Sequence, residues 1–429
     1  MKSALVAGLV ALQAAALLAI AIATLPAVLS RHTLDLGLYY KYSLSLLQGQ
    51  LPYRDFPLEY PPLALAPFVL PRLAALGRPL DFNGYLWLFL VENVVLSTLV
   101  ALALVEVLRA WRPSRPIAPA LALYALLVAA TAPLLPWRYD LFPALLTLLA
   151  LLCVLRGRPG WAGVWLGLGA AAKLYPAVLL PVVGAYYLAG DDRRALLRLA
   201  LGGAGALGLA LLPFALLAPL DLLGFLRYHE LRGLQVESLP AGAIILAHSL
   251  GVAAARLDFN YGALHLVSPL ATIALRWLPL AFIAGYGLLL AGCLARFREE
   301  RAARGAVSHA SLLAYMVAAL LVFIATNKVF SPQYLIWLLP FAPLLRRRHA
   351  AMLLAICSIT IALFPFDYDD LLAMHLVPVL LLNLRNLLVV ALLAWLLAER
   401  APLALRGALA WRSLPGRQAP ERVIGDEQG

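Results

Sequence analysis

Residues 4–29, ALVAGLVALQAAALLAIAIATLPAVL, run straight into residues 31–62, RHTLDLGLYYKYSLSLLQGQLPYRDFPLEYPP. The first stretch carries no charge and, as a helix rising about 1.5 Å per residue, is long enough for a hydrocarbon core of about 30 Å. The second is a polar island with three carboxylates (Asp35, Asp55, Glu59), three cations (Arg31, Lys41, Arg54) and five tyrosines. A cleaved signal peptide has an apolar region of only about 7–15 residues, so 4–29 reads as an uncleaved first span. The pair sets the expected plan of the chain: apolar helices as scaffold, short polar loops as chemistry.

Working outward, the remaining sequence repeats the first signal. The chain is 63% hydrophobic and 13% charged, against roughly a quarter charged in a soluble protein. The apolar residues fall in long runs, which marks an all-α polytopic membrane protein. Basic residues crowd into short linkers: 106–115, 156–158, 191–198, 296–304, 346–348 and the tail from Glu399 onward. Together with Lys2 these segments account for the whole net charge of +12, and the rest of the chain balances to zero. That asymmetry is the positive-inside pattern, so the linkers and both termini are expected in the cytoplasm. It explains the basic excess without nucleic acid. Arg outnumbers Lys 30 to 4, which suits a GC-rich bacterial genome and hence the bacterial cytoplasmic (inner) membrane. Cys153, Cys293 and Cys357 are far apart in apolar runs and offer neither a disulfide nor a metal spacing.

The charge rule orders the spans. With 4–29 outward, loop 31–83 lies outside. Leu63–Leu76 is short and holds Pro67 and Pro71, so 61–76 reads as an interfacial or re-entrant helix. Expected spans follow at 85–108, 117–136, 139–155, 199–219, 268–294, 306–326, 332–345, 351–366 and 377–397. Residues 161–190 read as a hairpin of short helices with Lys173-Leu-Tyr175-Pro176 at its apex. The total is about 12 crossings in one domain, 1–398, with a second outer loop at 220–267 and a basic tail at 399–429.

Polar groups outside the basic linkers gather in clusters expected near one membrane face. Ionisable groups at membrane depth are costly and point to function. Asp35, about five residues past the first span and one turn before Tyr39, suits a general base, or an N-cap for a helix through Leu36–Leu47. Asp55 and Glu59 could hold a cation or sugar hydroxyls, or be solvated at the rim. Arg138 and Asp140 read as site residues or an interfacial ion pair. Lys173 has apolar flanks on both sides and needs a carboxylate, a phosphate or snorkelling to satisfy it. Lys328 with Ser331 and Gln333 offers donors. Arg232 and Glu237 read as ligand contacts or as partners of each other. His229, His248 and His375 are isolated, which fits structural roles better than metal binding.

Taken in order, these motifs resemble the GT-C superfamily of membrane glycosyltransferases, most closely family 87, the polyprenyl-phosphate-mannose-dependent group. The resemblance rests on Asp35-x-x-x-Tyr39-Tyr40, Gly49-x-x-Pro52-Tyr53-x-Asp55, Glu59-Tyr60-Pro61-Pro62, Arg138-Tyr139-Asp140-x-x-Pro143, Lys173-x-Tyr175-Pro176, Arg232-x-x-Gln235-x-Glu237-Ser238 and Lys328-x-x-Ser331-Pro332-Gln333-Tyr334. It implies a GT-C-like bundle whose first outer loop carries juxtamembrane helices and the catalytic Asp35. It implies an inverting hexosyltransferase that moves a sugar, mannose first among candidates, from polyprenyl phosphate to a lipid or glycan acceptor on the outer face. No metal or other cofactor is then needed beyond the lipid-linked co-substrate. On that reading Lys173, Arg138, Arg232 and Lys328 meet the donor phosphate, and Asp55, Glu59, Tyr39, Asp140, Glu237 and Gln333 hold sugar or acceptor. The family's active-site histidine falls at His229 or His248. A flippase or transporter of lipid-linked sugars, or a noncatalytic subunit of an envelope complex, are the alternatives. An inverted internal repeat, which a transporter often shows, is not apparent.

Overall fold

The computed structural model describes residues 2–31, 34–219 and 221–401; the basic tail from residue 402 onward lies outside them. The protein is mostly helical. In chain order the helices are α1 (Lys2–Arg31), α2 (Leu34–Leu47), α3 (Leu65–Ala74), α4 (Phe82–Trp111), α5 (Ala118–Thr131), α6 (Leu141–Leu155), α7 (Pro159–Ala172), α8 (Leu180–Ala189) and α9 (Arg193–Leu217). They continue with α10 (Gly224–Leu231), α11 (Leu239–Ser249), α12 (Pro269–Arg304), α13 (His309–Thr326), α14 (Arg347–Ile361), α15 (Tyr368–Leu372) and α16 (Leu376–Arg400). Among the described residues seven helices are long and apolar enough to cross a bilayer: α1, α4, α9, α12, α13, α14 with its extension to Phe366, and α16. Shorter apolar helices accompany them. At 10 residues, α3 rises only about 15 Å and is too short to span.

The tightest packing in the bundle is a seam of small residues between α7 and α9. A Cβ on Gly163 would stand 2.1 Å from the Leu199 carbonyl oxygen, and one on Gly167 2.3 Å from that of Gly203. On the other side, a Cβ on Gly202 would stand 2.2 Å from the Gly160 carbonyl oxygen. Only glycine allows this backbone-to-backbone approach, the membrane counterpart of a small-x-x-x-small contact. Gly167→Leu is expected to push the helices apart, cost about 1–3 kcal/mol or more and displace Lys173, which caps α7. A melting curve in detergent checks this. An unchanged midpoint would show that the seam does not hold α7.

The basic linkers converge at one end of the bundle. Glu106 takes Arg109 at 2.6 Å and Arg156 at 2.5 Å. Arg112 donates to the Leu344 carbonyl at 3.3 Å, and Arg400 to Ser311 Oγ at 3.4 Å. Glu399 joins Arg346 and Arg348. Segments scattered over 300 residues of sequence thus share one surface.

Three expectations need correction. Residues 332–345 are not a regular span: they form 3-10 turns, Pro332–Trp337 and Ala342–Leu344. Pro332, Pro340 and Pro343 each lack the N–H that an α-helix requires. The fold is not purely α either. A three-stranded antiparallel sheet joins β1 (Leu234–Gln235), β2 (Arg256–Asn260) and β3 (Ala263–Val267) in the order β1-β3-β2. Its hairpin turns on Tyr261 and Gly262, with φ of 46° and 66°, the two consecutive left-handed residues of a type I′ turn. Lastly, Asp35 lies inside the first turn of α2 rather than before it.

Candidate active site

Beyond the end opposite the basic linkers, one cavity of about 1430 Å³ gathers side chains from most of the polar clusters. Asp35, Glu59, Arg138, Lys173, Arg232, Glu237, Lys328 and Gln333 all line it. These residues span almost 300 positions of sequence, and each reaches the cavity from a helix end or a short loop.

Asp35 is set in place from behind. Tyr39, one turn further along α2, is fully buried and stacks on Phe68 at 4.2 Å and 10°. It meets Tyr60 and Tyr139 edge-on, with centroids at 6.0 and 5.7 Å. This aromatic knot ties α2 to α3 and to the loop before α6. From that loop Arg138 Nη1 reaches Asp35 Oδ2 at 2.6 Å. The Arg138 side chain is 7% exposed and that of Asp35 25%, so the carboxylate opens to the cavity while its counter-ion stays behind. Tyr39 therefore supports the site from outside the cavity lining. Asp55 also stands outside it: it is exposed, accepts the Leu51 N–H at 2.7 Å and pairs with Arg54 at 2.8 Å. Its role is local, closing the 51–56 turn.

Lys173 ends α7 because Pro176 cannot continue the helix: it has no N–H, and its ring would collide with the carbonyl four residues earlier. The chain turns extended at Lys173, with φ −159° and ψ 142°. Its ammonium donates to Asp140 Oδ1 at 2.6 Å, and Trp337 Nε1 donates to the same oxygen at 2.6 Å. Asp140 is completely buried. It forms the floor under Lys173 and does not line the cavity. Trp337 is sandwiched between Tyr175, at 4.1 Å, and Tyr334, at 3.9 Å.

The third group hangs from the small sheet. Lys328 Nζ donates to the carbonyls of Glu230 and Arg232, both at 2.7 Å, and the Lys328 carbonyl accepts from the Gln235 N–H at 2.9 Å. Among the described residues neither Arg232 nor Lys328 pairs with a carboxylate, whereas Arg138 and Lys173 each already hold one. Burial lowers the Lys328 ammonium from its usual range, and the Arg232 charge lowers it further. Arg232 and Lys328 are thus adjacent cations held by no direct ion pair, with the charges of Glu59, Glu230 and Glu237 acting on them from further away.

Acidic groups complete the ring. Burial raises the Glu59 carboxyl; the Tyr228 and Tyr60 hydroxyls pull it back, and the Asp35 charge pushes it up again. Burial also pushes Glu237 up to about 7. Tyr368 donates to Glu237 Oε1 at 3.1 Å, and Arg385 Nη2 to the Glu237 carbonyl at 2.9 Å. Of the two candidate histidines only His229 lines the cavity. Burial and then Arg232 lower it to about 4, so it is neutral near pH 7. His248 lies in α11, its Nδ1 2.9 Å from the Ala253 carbonyl. Asp369 also lines the cavity. The opposite wall is apolar, made by Leu275, Leu278 and Phe282 of α12 and Phe323 of α13.

A sequence model described as glycosyltransferase family 87 matches residues 58–332. That is well over half of the chain. The chain belongs to glycosyltransferase family 87. No curated protein and no solved structure matches it. As a family 87 member the protein is a transferase, forming a glycosidic bond between a donor sugar and an acceptor. The matched stretch takes in Glu59, Arg138, Asp140, Lys173, Arg232, Glu237 and Lys328. Asp35, Tyr39 and Asp55 precede it, and Gln333 follows it directly. For this family 87 enzyme the cavity thus unites carboxylates that can accept a proton, cations that can meet an anion, and an apolar wall.

Two supporting residues were missed in the sequence. Arg385 is an isolated charge in the apolar run 377–397; it is 2% exposed and lies 3.8 Å from the Phe330 ring centroid. A lone arginine within a span is itself a functional signal. Trp337 carries no such signal, because an aromatic near a span end reads equally well as a membrane-interface belt.

Proposed function

We propose that this enzyme transfers a hexose, mannose first among candidates, from polyprenyl phosphate to a lipid or glycan acceptor. The observation that carries the reading is the adjacent pair Arg232 and Lys328, in no direct ion pair among the described residues and set in the same cavity as Asp35 and an apolar wall. A polyprenyl tail lies along α12 and α13, and its phosphate meets Arg232 and Lys328, with Lys173 adjoining. Glu59, Glu237 and Gln333 hold sugar and acceptor hydroxyls.

Asp35 accepts the acceptor's proton as that oxygen attacks the anomeric carbon. The bond from that carbon to the phosphate oxygen breaks on the opposite face, which inverts the configuration. The transition state has oxocarbenium character, as in glycoside hydrolysis. The departing phosphate gains negative charge as it leaves. Fixed cations in a site of low dielectric stabilise it far better than water can. Arg138 orients Asp35 through their 2.6 Å ion pair. Because cations of the chain itself serve the leaving group, the reaction proceeds without a metal.

The sidedness follows the charge rule. With the basic end in the cytoplasm, both termini lie inside and the cavity faces outward from a bacterial inner membrane. Helices α1, α4 to α9, α12 to α14 and α16, with the 3-10 stretch 332–344, then make about 12 crossings.

The test uses purified full-length protein with polyprenyl-phosphate-mannose and, separately, a nucleotide sugar, each with and without EDTA. Transfer is expected from the lipid-linked donor only and is unaffected by EDTA. Replacing Arg232 and Lys328 with glutamine is expected to raise the donor KM roughly 10–100-fold, the worth of one charge-assisted contact. Transfer from the nucleotide sugar alone, or an unchanged KM in the variant, would remove this reading.

A further inference from the structure

The basic end of the bundle holds a second cavity, of about 580 Å³, that shares no lining residue with the first. It opens between the ends of α4 and α16 and the starts of α5, α13 and α14. Five arginines line it: Arg112, Arg115, Arg346, Arg347 and Arg400. They face a single carboxylate, Glu399, which already holds Arg346 at 3.0 Å and also binds Arg348.

The balance therefore stays strongly cationic. Arg115 and Arg347 have no carboxylate partner among the described residues. The Arg112 guanidinium rests over the Trp111 ring at 4.1 Å and donates to the Leu344 carbonyl. Burial lowers the Arg112 guanidinium from its usual range, and the neighbouring Arg115 charge lowers it further. Below this cationic mouth the walls turn apolar, with Leu123 of α5, Leu313 of α13 and Leu396 of α16.

A simple anion has no use for the apolar floor, and a neutral lipid has none for the arginines. The two halves together fit an amphiphile with an anionic head. Basic pockets between spans on the cytoplasmic side are the expected recognition device for such lipids.

We infer that this cleft binds one anionic phospholipid, with its phosphodiester among Arg112, Arg115 and Arg347 and an acyl chain along Leu123, Leu313 and Leu396. Each arginine brought close to an anionic headgroup contributes about fivefold in affinity. The site is separate from the transfer chemistry, so lipid occupancy here and sugar transfer can fail independently.

The experiment is native mass spectrometry of the full-length protein in detergent. It is titrated with phosphatidylglycerol, with phosphatidylcholine of the same chains, and with inorganic phosphate as competitor. One equivalent of phosphatidylglycerol is expected to be retained, phosphatidylcholine not, and phosphate is expected to compete only weakly. Arg115→Gln with Arg347→Gln is expected to lower the phosphatidylglycerol affinity roughly 30-fold, with sugar transfer in phospholipid-free detergent unchanged. Lysine at both positions is expected to restore most of it. Equal retention of the two lipids would overturn the inference, as would full affinity in the glutamine variant. Displacement by equimolar phosphate would also overturn it, marking a plain anion site with no lipid selectivity.

Discussion

Asp35→Asn is expected to lower the turnover of sugar transfer by roughly 10²- to 10⁴-fold, the usual worth of a positioned general base. The amide has the shape of the carboxylate but cannot take up a proton. On the proposed reading the donor phosphate is held elsewhere, by Arg232 and Lys328, so the donor KM is expected to change little. The fold should persist, because α2 is held by the Tyr39 aromatic knot and not by the carboxylate. Arg138 loses its ionic partner, and a melting curve will show what that costs. Full turnover in the variant would exclude Asp35 as the base. A fall confined to donor KM would move Asp35 from proton transfer to binding.

Asp140→Ala is expected to act on stability first. It leaves the Lys173 ammonium and the Trp337 indole N–H without their shared acceptor. Removing one member of a buried ion pair costs about 3–5 kcal/mol, because the remaining charge stays uncompensated. Lys173 keeps 13% of its side chain exposed and can turn toward cavity water, which favours the lower figure. Removing both charges, Asp140→Leu with Lys173→Met, should recover most of the melting temperature and none of the activity. A single variant as stable as the parent would show that Asp140 does not hold the lysine.

Much of this arrangement is legible in the sequence, for identifiable reasons. Apolar runs of span length can only be helices in a bilayer, where no other partner exists for the backbone. The break at Lys173 follows from Pro176. Lone polar groups in a greasy chain stand out, and Asp35, Glu59, Arg138, Lys173, Arg232, Glu237, Lys328 and Gln333 all meet at one cavity. What the sequence leaves open is who faces whom. The pairing of Asp35 with Arg138 joins segments about 100 residues apart. Spacing along the chain says nothing of such a contact. The resemblance implies sugar or acceptor roles for Tyr39 and Asp55, but one is packed inward and the other faces solvent. The β2–β3 hairpin has its own signal, apolar alternation around Asn260-Tyr261-Gly262, which is easily overlooked amid helix-length patterning.

The helix α12 runs for 36 residues, about 54 Å along its axis. It presents Leu275, Leu278 and Phe282 to the cavity, while Trp277, Ile283 and Leu288 on its other faces are more than 60% exposed. At these positions α12 therefore stands between the cavity and the outer apolar surface of the bundle. An inhibitor could approach from the acyl-chain phase as readily as from water. Its effective concentration at the target is then set by partition into the bilayer. Within a series sharing one warhead, potency should track lipophilicity more closely than aqueous solubility. Apparent inhibition constants should then shift with the amount of lipid in the assay.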